Sequence, residues 1–349
     1  MTNRVTKPTE FQASDFYSRQ IALHELGREG QERLRHSKAT IVGLGGLGSV
    51  SCLFLAMAGV GRLTLVDQDT VELNNLHRQA LYSLADIRYP KVEAASRRLA
   101  VVNPEVKFET VPENLNEDNI RTVIGDSDCV VDGLDNMNTR YLISRYCVEK
   151  EIPYVFGGAI GFEGNVAVFK TPETPCLECV LPGLEDSELP TCNTRGVIGA
   201  TTGIVGSVQA METIKLLSGI TKKLESKMLV FDFIQSEFRI INLAIRPDCS
   251  CQNKTQRKPL QHRKLAWLCG SDTVNVNPQT TQNLNLEEIG TTINAHGKVL
   301  LKTPLVIVFD YKGHEISLFR KGRMLIKNVK NEQEGEDIFK SVDKMIGVN

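Results

Sequence analysis

Residues 39–79 read ATIVGLGGLGSVSCLFLAMAGVGRLTLVDQDTVELNNLHRQ. The β-branched run at the start of this stretch leads directly into a glycine turn, Gly43-Leu44-Gly45-Gly46-Leu47-Gly48. The apolar residues 49–59 predict a helix, and residues 63–66 predict a second strand that ends at Asp67. Strand, glycine turn, helix, strand and acid within about 30 residues is the order that a nucleotide-binding fingerprint requires.

The residues of this turn suit a phosphate group. Glycines allow the backbone to turn tightly and to approach a phosphate, and a helix N-terminus offers unpaired N–H groups and a partial positive charge. Asp67 follows Gly48 by 19 residues, where a carboxylate can accept hydrogen bonds from ribose hydroxyls. The alternative is a glycine turn with a packing role only. The turn does not identify the nucleotide, because NAD, FAD and ATP folds all use it.

Composition excludes several broad classes of protein. The chain has 349 residues, of which 41% are hydrophobic, enough for one large or two unequal domains. Its 41 basic and 42 acidic residues nearly cancel, so charge gives no argument for nucleic acid or membrane. The N-terminal segment lacks the apolar core of a signal peptide and no apolar run is long enough to cross a bilayer, so we expect a cytoplasmic protein.

Predicted strands and helices alternate from residue 38 to residue 156, which favours a Rossmann-like α/β fold. The expected sheet is mixed and mostly parallel, with helices on both faces. Helices are predicted at residues 15–35, 49–59, 91–102, 116–125, 138–150 and 203–217. Strands are predicted at residues 39–42, 63–66, 107–111, 129–132, 153–156, 165–170, 228–232 and 237–244.

A second unit is predicted at the end of the chain. Residues 252–264 read QNKTQRKPLQHRK, with five Lys or Arg residues and no acid, which is typical of a surface linker. We therefore divide the chain into an unstructured segment 1–14, an α/β domain 15–252, a linker 253–264 and a small C-terminal α+β domain 265–349. The last contains predicted strands at 304–309, 315–319 and 324–327 and predicted helices at 284–293 and 335–346.

Four cysteines occur as two close pairs. Cys176 and Cys179 are separated by two residues, and Cys249 and Cys251 by one. Thiolates in such pairs can close a tetrahedral zinc site, which would tie a loop to the end of the sheet. The alternatives are four unliganded thiols or a redox pair. Nine cysteines in a chain that lacks a leader argue against a disulfide framework.

A fifth cysteine, Cys192, stands apart in the segment PTCNTRG. It follows an acidic loop and precedes a glycine-rich helix start, with Arg195 nearby. A thiol beside a helix N-terminus and a cation can have a lowered pKa and act as a nucleophile, although an inert thiol is the alternative. The other four cysteines lie in apolar patterns and are expected to be core residues: Cys52, Cys129, Cys147 and Cys269.

Three basic residues and one acid complete the candidate site. Arg19, Arg78 and Lys91 could gather around a triphosphate and neutralise its charge as a phosphate bond breaks. Asp135 follows the predicted strand 129–132 and is well placed to bind magnesium. Each alone is more often a surface charge. Together with the glycine turn they favour phosphate-bond chemistry over hydride transfer, and an NAD-dependent oxidoreductase is the remote alternative.

These motifs together resemble the MoeB/ThiF/HesA family of adenylyltransferases, which are related to ubiquitin-activating enzymes. The resemblance extends over about residues 15–252. It is carried, in order, by RQIAL (19–23), GLGGLG (43–48), VDQDTVELNNLHRQ (66–79), PKVE (90–93), GLDN (133–136), CLEC (176–179), TCNTRGVIGATTGIVGSVQAMETIKLLSG (191–219) and the CSC pair.

The resemblance implies a homodimer that binds ATP, Mg²⁺ and Zn²⁺ and adenylates the C-terminal Gly-Gly tail of a small β-grasp protein, without nucleic acid or membrane as a partner. Arg19 would reach into the site of the partner subunit, and Cys192 would form a covalent adduct with the tail, as in several relatives. An activating enzyme of a ubiquitin-like conjugation pathway is the alternative. The residues implied to hold ATP are Gly43, Gly45, Gly46, Asp67, Asn75, Arg78, Lys91 and Asn136, with Asp135 on magnesium.

Two features depart from the family pattern. The second cysteine pair is CxC, whereas the usual pair is CxxC. The region after residue 264 contains no rhodanese-like cysteine loop and resembles instead a small extension found in some prokaryotic members. Docking of the carrier protein and packing between domains are the two roles that we consider for it.

Overall fold

A computed structural model describes residues 10–186, 195–220, 224–249, 251, 265–268, 272–278 and 282–347, without the side chains of 265–268. The helices in these ranges are α1 (Ala13–Phe16), α2 (Ser18–Ile21), α3 (Gly27–His36), α4 (Gly46–Ala58), α5 (Lys91–Val102), α6 (Ile120–Ile124), α7 (Met137–Lys150), α8 (Leu177–Val180), α9 (Gly199–Ser218), α10 (Leu286–Asn294) and α11 (Glu332–Ile346).

The strands form two sheets. The first contains β1 (Lys38–Val42), β2 (Arg62–Val66), β3 (Lys107–Val111), β4 (Cys129–Asp132), β5 (Tyr154–Ile160), β6 (Glu163–Phe169), β7 (Lys227–Asp232) and β8 (Glu237–Asn242). The second contains β9 (Leu265–Leu268), β10 (Thr273–Val276), β11 (Lys298–Lys302), β12 (Val306–Tyr311), β13 (His314–Phe319) and β14 (Met324–Lys327).

The first sheet has the order β3-β2-β1-β4-β5-β6-β7-β8. The strands from β3 to β5 are parallel, and β6, β7 and β8 are each antiparallel to the strand before them. The strand alternation places successive side chains on opposite faces, so Ile41 and Val42 enter different cores. The predicted mixed, mostly parallel sheet with helices on both faces is confirmed.

The strand order creates a crevice at one edge of the sheet. From β1 the chain passes to β2 and β3 on one side, and β4 then pairs with the other side of β1. At such a switch point the connections leave in opposite directions, and ligands bind outside the carboxyl ends of the strands. The glycine turn after β1, Asp67 after β2 and the GLDN loop after β4 all lie at this edge.

The prediction of one continuous helix near the N-terminus is wrong. Residues 15–35 do not form one helix: α1 begins at Ala13, α2 ends at Ile21, and α3 starts only at Gly27, which has φ +58°. The interruption between α1 and α2 falls at Tyr17, whose side chain is buried and whose hydroxyl accepts a hydrogen bond from Asn103 Nδ2 at 2.7 Å. A long-range contact therefore overrides the local helical pattern.

Elements near the crevice start earlier than the sequence predicts. Helix α4 begins at Gly46, inside the glycine turn, and not at residue 49, and α9 begins at Gly199 and not at residue 203. Both starts are rich in glycine and other small residues, and packing supports their helical conformation, because the two helices make extensive contact with each other. The helix at 91–102 and the strands at 107–111 and 129–132 are confirmed at their predicted bounds.

The second sheet is antiparallel and has the order β11-β12-β13-β14-β10-β9. Helices α10 and α11 cover one face, and their residues Ile293 and Val342 share a core with the strand residues Phe309 and Ile326. The predicted strands and helices after residue 284 are present, whereas β9, β10 and β11 were missed. The predicted linker 253–264 lies outside the described residues.

A helix that crosses a membrane must be long and apolar, and the helices of the described ranges can be judged by these two properties. None of them is both long enough and apolar enough to span a bilayer.

Candidate functional site

The glycine turn and the loop after β4 pack backbone against backbone. Gly43 has φ +87°, and a Cβ atom there would lie 2.7 Å from the carbonyl carbon of Gly133. A Cβ atom on Gly48 would lie 1.8 Å from the carbonyl oxygen of Gly43. These glycines are therefore required by close approach within the protein, which supports part of the packing alternative.

Gly45 differs from its neighbours because it faces open space. A Cβ atom on Gly45 would meet nothing nearer than 3.9 Å, where Gln79 Nε2 and the carbonyl oxygen of Gly133 lie. The Gln79 side chain is buried, and its Oε1 atom has no hydrogen-bond partner among the described residues. Helix α4 starts one residue later, at Gly46, so its unpaired N–H groups lie beside this space. The arrangement fits a phosphate at the helix N-terminus.

Asp67 contacts the glycine turn directly. Its Oδ2 atom accepts a hydrogen bond from the backbone N–H of Leu44 at 2.7 Å, and its Oδ1 atom accepts one from Asp69 N at 2.7 Å. Burial raises the pKa of Asp67, Lys91 opposes this effect, and the charge of Asp69 adds to it. The carboxylate thus holds the turn in place, and its contact with a ribose stays a prediction.

Lys91 is the buried cation of the site. It is 6% exposed, and its Nζ lies 3.0 Å from Asp69 Oδ2. Burial alone would lower its pKa, but the negative charges of Asp67 and Asp69, with a smaller effect of Asp135, raise it above the ordinary lysine value. The ammonium is therefore charged at neutral pH and lies close to three acids.

The sequence analysis did not single out Asp69. Its signal is the acid-x-acid spacing in VDQDT, which places two carboxylates after one strand. Burial tends to raise the pKa of Asp69, but Lys91, Arg323 and Lys327 together lower it below the usual aspartate range. It is therefore an ionised partner of Lys91, with its side chain 38% exposed.

Asp135 and Asn136 occupy the loop that joins β4 to α7. Asp135 is exposed at the crevice edge, and its charge is near enough to raise the pKa of Lys91. Asn136 Oδ1 accepts a hydrogen bond from Thr139 N at 3.0 Å and caps α7, so it orients the loop that presents Asp135. Magnesium binding by Asp135 stays a prediction.

Arg78 and Asn75 lie in the loop after Asp67. Asn75 is buried, accepts from Glu72 N at 3.3 Å and donates to Asn74 Oδ1 at 2.9 Å. Arg78 Nη1 donates to the carbonyl of Asn74 at 2.8 Å, and within the described ranges its guanidinium forms no ion pair with a carboxylate. The hydrogen bond to Asn74 thus orients the guanidinium group, whose positive charge remains available to an anion.

Three buried side chains below the GLDN loop were also missed. Asp132 Oδ2 accepts from Tyr154 Oη at 2.6 Å and lies 3.0 Å from Arg140 Nε. Arg140 Nη2 donates to the carbonyls of Leu134 at 2.6 Å and Gly157 at 2.7 Å. This network fixes the loop backbone from beneath, and it is invisible to motif reading because its members come from separate elements.

The roles of the remaining predicted catalytic residues, Arg19 and Cys192, stay predictions. Arg19 is exposed on α2. Cys192 lies outside the described residues, as does the core cysteine predicted at position 269. Cys52, Cys129 and Cys147 are buried, which confirms them as core residues.

The four paired cysteines converge. Cys176 Sγ lies 3.8 Å from Cys179 Sγ and 3.5 Å from Cys249 Sγ, and Cys179 Sγ lies 3.5 Å from Cys251 Sγ. All four sulfur atoms lie within 4.8 Å of one another. Tetrahedral Zn–S bonds of about 2.3 Å would separate the sulfurs by about 3.8 Å. These distances are too long for disulfides and fit a single metal ion, and the CxC spacing does not prevent convergence.

Comparison with known proteins agrees with this architecture. Residues 17–253 match the model of the ThiF family. The chain is 42% identical over 262 residues to "Adenylyltransferase and sulfurtransferase MOCS3" of Aedes aegypti, covering 73% of this chain and 60% of the relative. It is 38% identical to "Sulfur carrier protein adenylyltransferase" of Thermus thermophilus, covering 73% of this chain and 97% of that protein.

A solved structure shows the same fold. The crystal structure of E. coli MccB superposes with a TM-score of 0.62 at 24% identity, covering 73% of this chain and 76% of that one. The chain spans about half to three fifths of the length of the MOCS3 relatives that it matches, and the second sheet falls outside the family match. With two thirds of its residues in that match, and with both sequence relatives above 30% identity, the chain belongs to the ThiF family.

Proposed function

We propose that this chain uses ATP to adenylate the C-terminal glycine carboxylate of a small β-grasp protein that serves as a ubiquitin-like sulfur carrier. The observation that carries the proposal is the crevice at the switch point, where an open glycine turn, a buried lysine and an exposed aspartate meet. A relative that this chain covers almost completely is named for the same reaction.

The residues of the crevice have the chemistry that a nucleotide triphosphate requires. The open backbone at Gly45 and the N-terminus of α4 would accept a phosphate, with Gly43 and Gly46 shaping the turn. Lys91 and Arg78 would neutralise the remaining phosphate charge, and Asp67, Asn75 and Asn136 would position the nucleotide through the loops they hold. Asp135 would bind a magnesium ion, which supplies further charge neutralisation.

The proposed reaction does not require a general base to activate the attacking group. The tail carboxylate is already ionised at neutral pH, so it can attack the α-phosphorus directly. A bond forms between a carboxylate oxygen and that phosphorus, the bond to the bridging oxygen breaks, and pyrophosphate leaves with the electron pair. The protein contributes orientation and stabilises the charge that develops on the phosphate oxygens.

Two exposed surfaces support the proposed partners. One face of α9, with Ala200, Ile204, Val208 and Met211 at helical spacing, is apolar, and Met211 is 57% exposed. We assign this face to a second copy of the chain, whose Arg19 would reach the neighbouring site, and sedimentation equilibrium tests the dimer. All six residues of β8 are exposed, including Phe238 and Ile240, and we assign this edge to the carrier.

Carrier-dependent exchange tests the function. The chain should catalyse exchange of labelled pyrophosphate into ATP when a β-grasp protein that ends in Gly-Gly is added. The same carrier without its last glycine should give no exchange, because the attacking carboxylate is then misplaced. A pyrophosphate exchange rate that does not depend on the carrier, or tight NAD binding without any exchange, would contradict the proposed reaction.

We further propose that Cys192 accepts the activated tail after adenylation. The thiolate sulfur would attack the acyl carbon, the bond to AMP would break, and a thioester and free AMP would result. Replacing Cys192 with alanine should leave pyrophosphate exchange within about twofold of the wild type, because the thiol is not needed for the first step. Mass spectrometry should detect the carrier adduct, which thiol reductants or hydroxylamine release, in the wild type only. An adduct in Cys192→Ala would assign this role to another thiol.

A further inference from the structure

Arg323, in the hairpin between β13 and β14, contacts the nucleotide-binding half of the molecule. Its guanidinium donates hydrogen bonds to the carbonyl oxygen of Gln68, and at 3.3 Å to that of Pro112. Gln68 follows β2 and Pro112 follows β3, so one side chain bridges the carboxyl ends of two adjacent strands. Asn275 of β10 adds to this contact, because it donates to Gln68 Oε1 at 3.2 Å and accepts from Arg323 at 3.3 Å.

A second set of contacts joins the same two regions through charge. Lys327 Nζ lies 2.8 Å from Glu72 Oε1 and 3.3 Å from Glu315 Oε1. Glu315 in turn lies 2.7 Å from Arg88 Nε. Arg88 has φ +76°, a conformation that is costly for a residue with a side chain and that persists only where surrounding contacts hold it.

These contacts end on the segments that carry the site. Residues 68–72 and 88–91 pair with each other, because Val71 N donates to Tyr89 O at 2.8 Å and Lys91 N donates to Asp69 O at 2.9 Å. Lys91 and Asp69 are the ion pair beside the glycine turn. The second domain therefore holds the backbone on both sides of that ion pair.

Charge balance gives Arg323 a specific role. Asp67 and Asp69 are two half-buried carboxylates close together in sequence, and Lys91 forms an ion pair with Asp69. Arg323 is the second cation whose field reaches both acids, and burial lowers its pKa only to about 10, so it stays charged at neutral pH. With Arg323 in place, Lys91 can turn toward a phosphate without leaving the acids uncompensated.

We propose that the C-terminal domain completes the nucleotide site, with Arg323 as a positioning residue that fixes the Asp67–Asp69 segment and neutralises its acids. This inference rests on the proposed function, because it concerns the affinity of that same site for ATP. Of the two roles considered for the C-terminal region, the inference favours packing between domains over carrier docking for the face that contains Arg323. It also links that packing to the affinity for ATP.

A purely structural role explains Arg323 poorly. The side chain is 4% exposed, it forms no ion pair within 4 Å in the described part of the chain, and its Nε atom has no hydrogen-bond partner there. Its guanidinium stacks on the Phe319 ring at 3.6 Å, a contact that an apolar side chain of similar length would also make. Burying a charge that has no carboxylate within ion-pair distance costs free energy, and in the described structure the charges of Asp67 and Asp69 act on Arg323 from farther away.

The test compares Arg323→Met with Arg323→Lys in the full-length chain. Arg320→Met is the matched control, because Arg320 lies in the same hairpin and is exposed. In carrier-dependent pyrophosphate exchange, Arg323→Met should raise KM for ATP about tenfold and change kcat less than about twofold. Arg323→Lys should fall between it and the wild type, because lysine retains the charge but cannot bridge two carbonyls.

Two further measurements separate positioning from unfolding and from the reaction itself. Hydrogen exchange should become faster in residues 67–72 of Arg323→Met while β12 and β13 keep their protection. Calorimetric titration with ATP alone should show the same loss of affinity, which decides the inference even if the carrier reaction fails. Wild-type ATP affinity in Arg323→Met, or an equal loss in Arg320→Met, would overturn the proposal.

Discussion

Replacing Asp135 with asparagine should reduce carrier-dependent pyrophosphate exchange by about 10³-fold and leave the fold intact. The side chain is exposed at the crevice edge, so its removal leaves no cavity and no buried partner without a hydrogen bond. The loss follows because a neutral amide binds magnesium weakly and no longer offsets phosphate charge through it. Exchange rates over a series of magnesium concentrations measure the effect, and higher magnesium should recover part of the activity.

A carboxylate at the opposite end of the same strand provides the control. Asp126 precedes β4, its side chain is 79% exposed, and it forms a surface ion pair with Lys38. Asp126→Asn should retain wild-type exchange, because that end of the strand lies away from the crevice. If Asp135→Asn exchanged pyrophosphate within about threefold of Asp126→Asn, the assignment of magnesium to Asp135 would be wrong.

Replacing Cys176 with serine should remove bound zinc and lower the unfolding midpoint by about 10 °C. Cys176 and Cys249 are each 1% exposed, and their loops come from the segments after β6 and β8. Without the metal, three thiols crowd together and the two segments lose their crosslink. Metal analysis of the purified protein and thermal unfolding with and without a chelator measure both effects.

Cys147→Ser separates metal loss from the general cost of changing a buried thiol. Cys147 is buried in α7 and belongs to the hydrophobic core on the face of the first sheet that α7 covers. It is not one of the four clustered cysteines. This variant should keep its zinc and lose less stability than Cys176→Ser. Wild-type zinc content in Cys176→Ser would show that the cluster is not a four-sulfur site.

The sequence predicts features of the fold correctly where they depend on local backbone requirements. The turn at Gly43 needs a left-handed residue, a close approach requires Gly48, and an acid must follow β2, so these positions can be read from one short stretch. The parallel order of β1, β2 and β4 then places Asp67 and Asp135 at one edge, since parallel strands end on the same side. Lys91 is a candidate because it is a basic residue near the glycine turn in sequence, and it opens a helix after that region.

The residues that were missed act through contacts between distant segments. Asp132, Arg140 and Tyr154 form a hydrogen-bonded network from three elements, and no spacing rule connects them. Gln79 lies within a recognised motif, yet only the folded structure shows that its side-chain oxygen has no hydrogen-bond partner among the described residues. Arg323 contacts Gln68 across most of the length of the chain, and sequence gives no signal for a contact of that range.

The amino-acid sequence alone determined the family resemblance and the mixed α/β sheet, and it supplied the residues that we propose to bind phosphate, because glycines, buried strands and paired cysteines carry their requirements locally. The tertiary structure decided which charges compensate one another. It brought the four sulfur atoms together, placed Asp69 beside the buried Lys91, and placed Arg323 of the second sheet's hairpin against the loop that carries both acids. Electrostatic interactions in a protein interior depend on distance and burial, and only the folded chain sets these quantities.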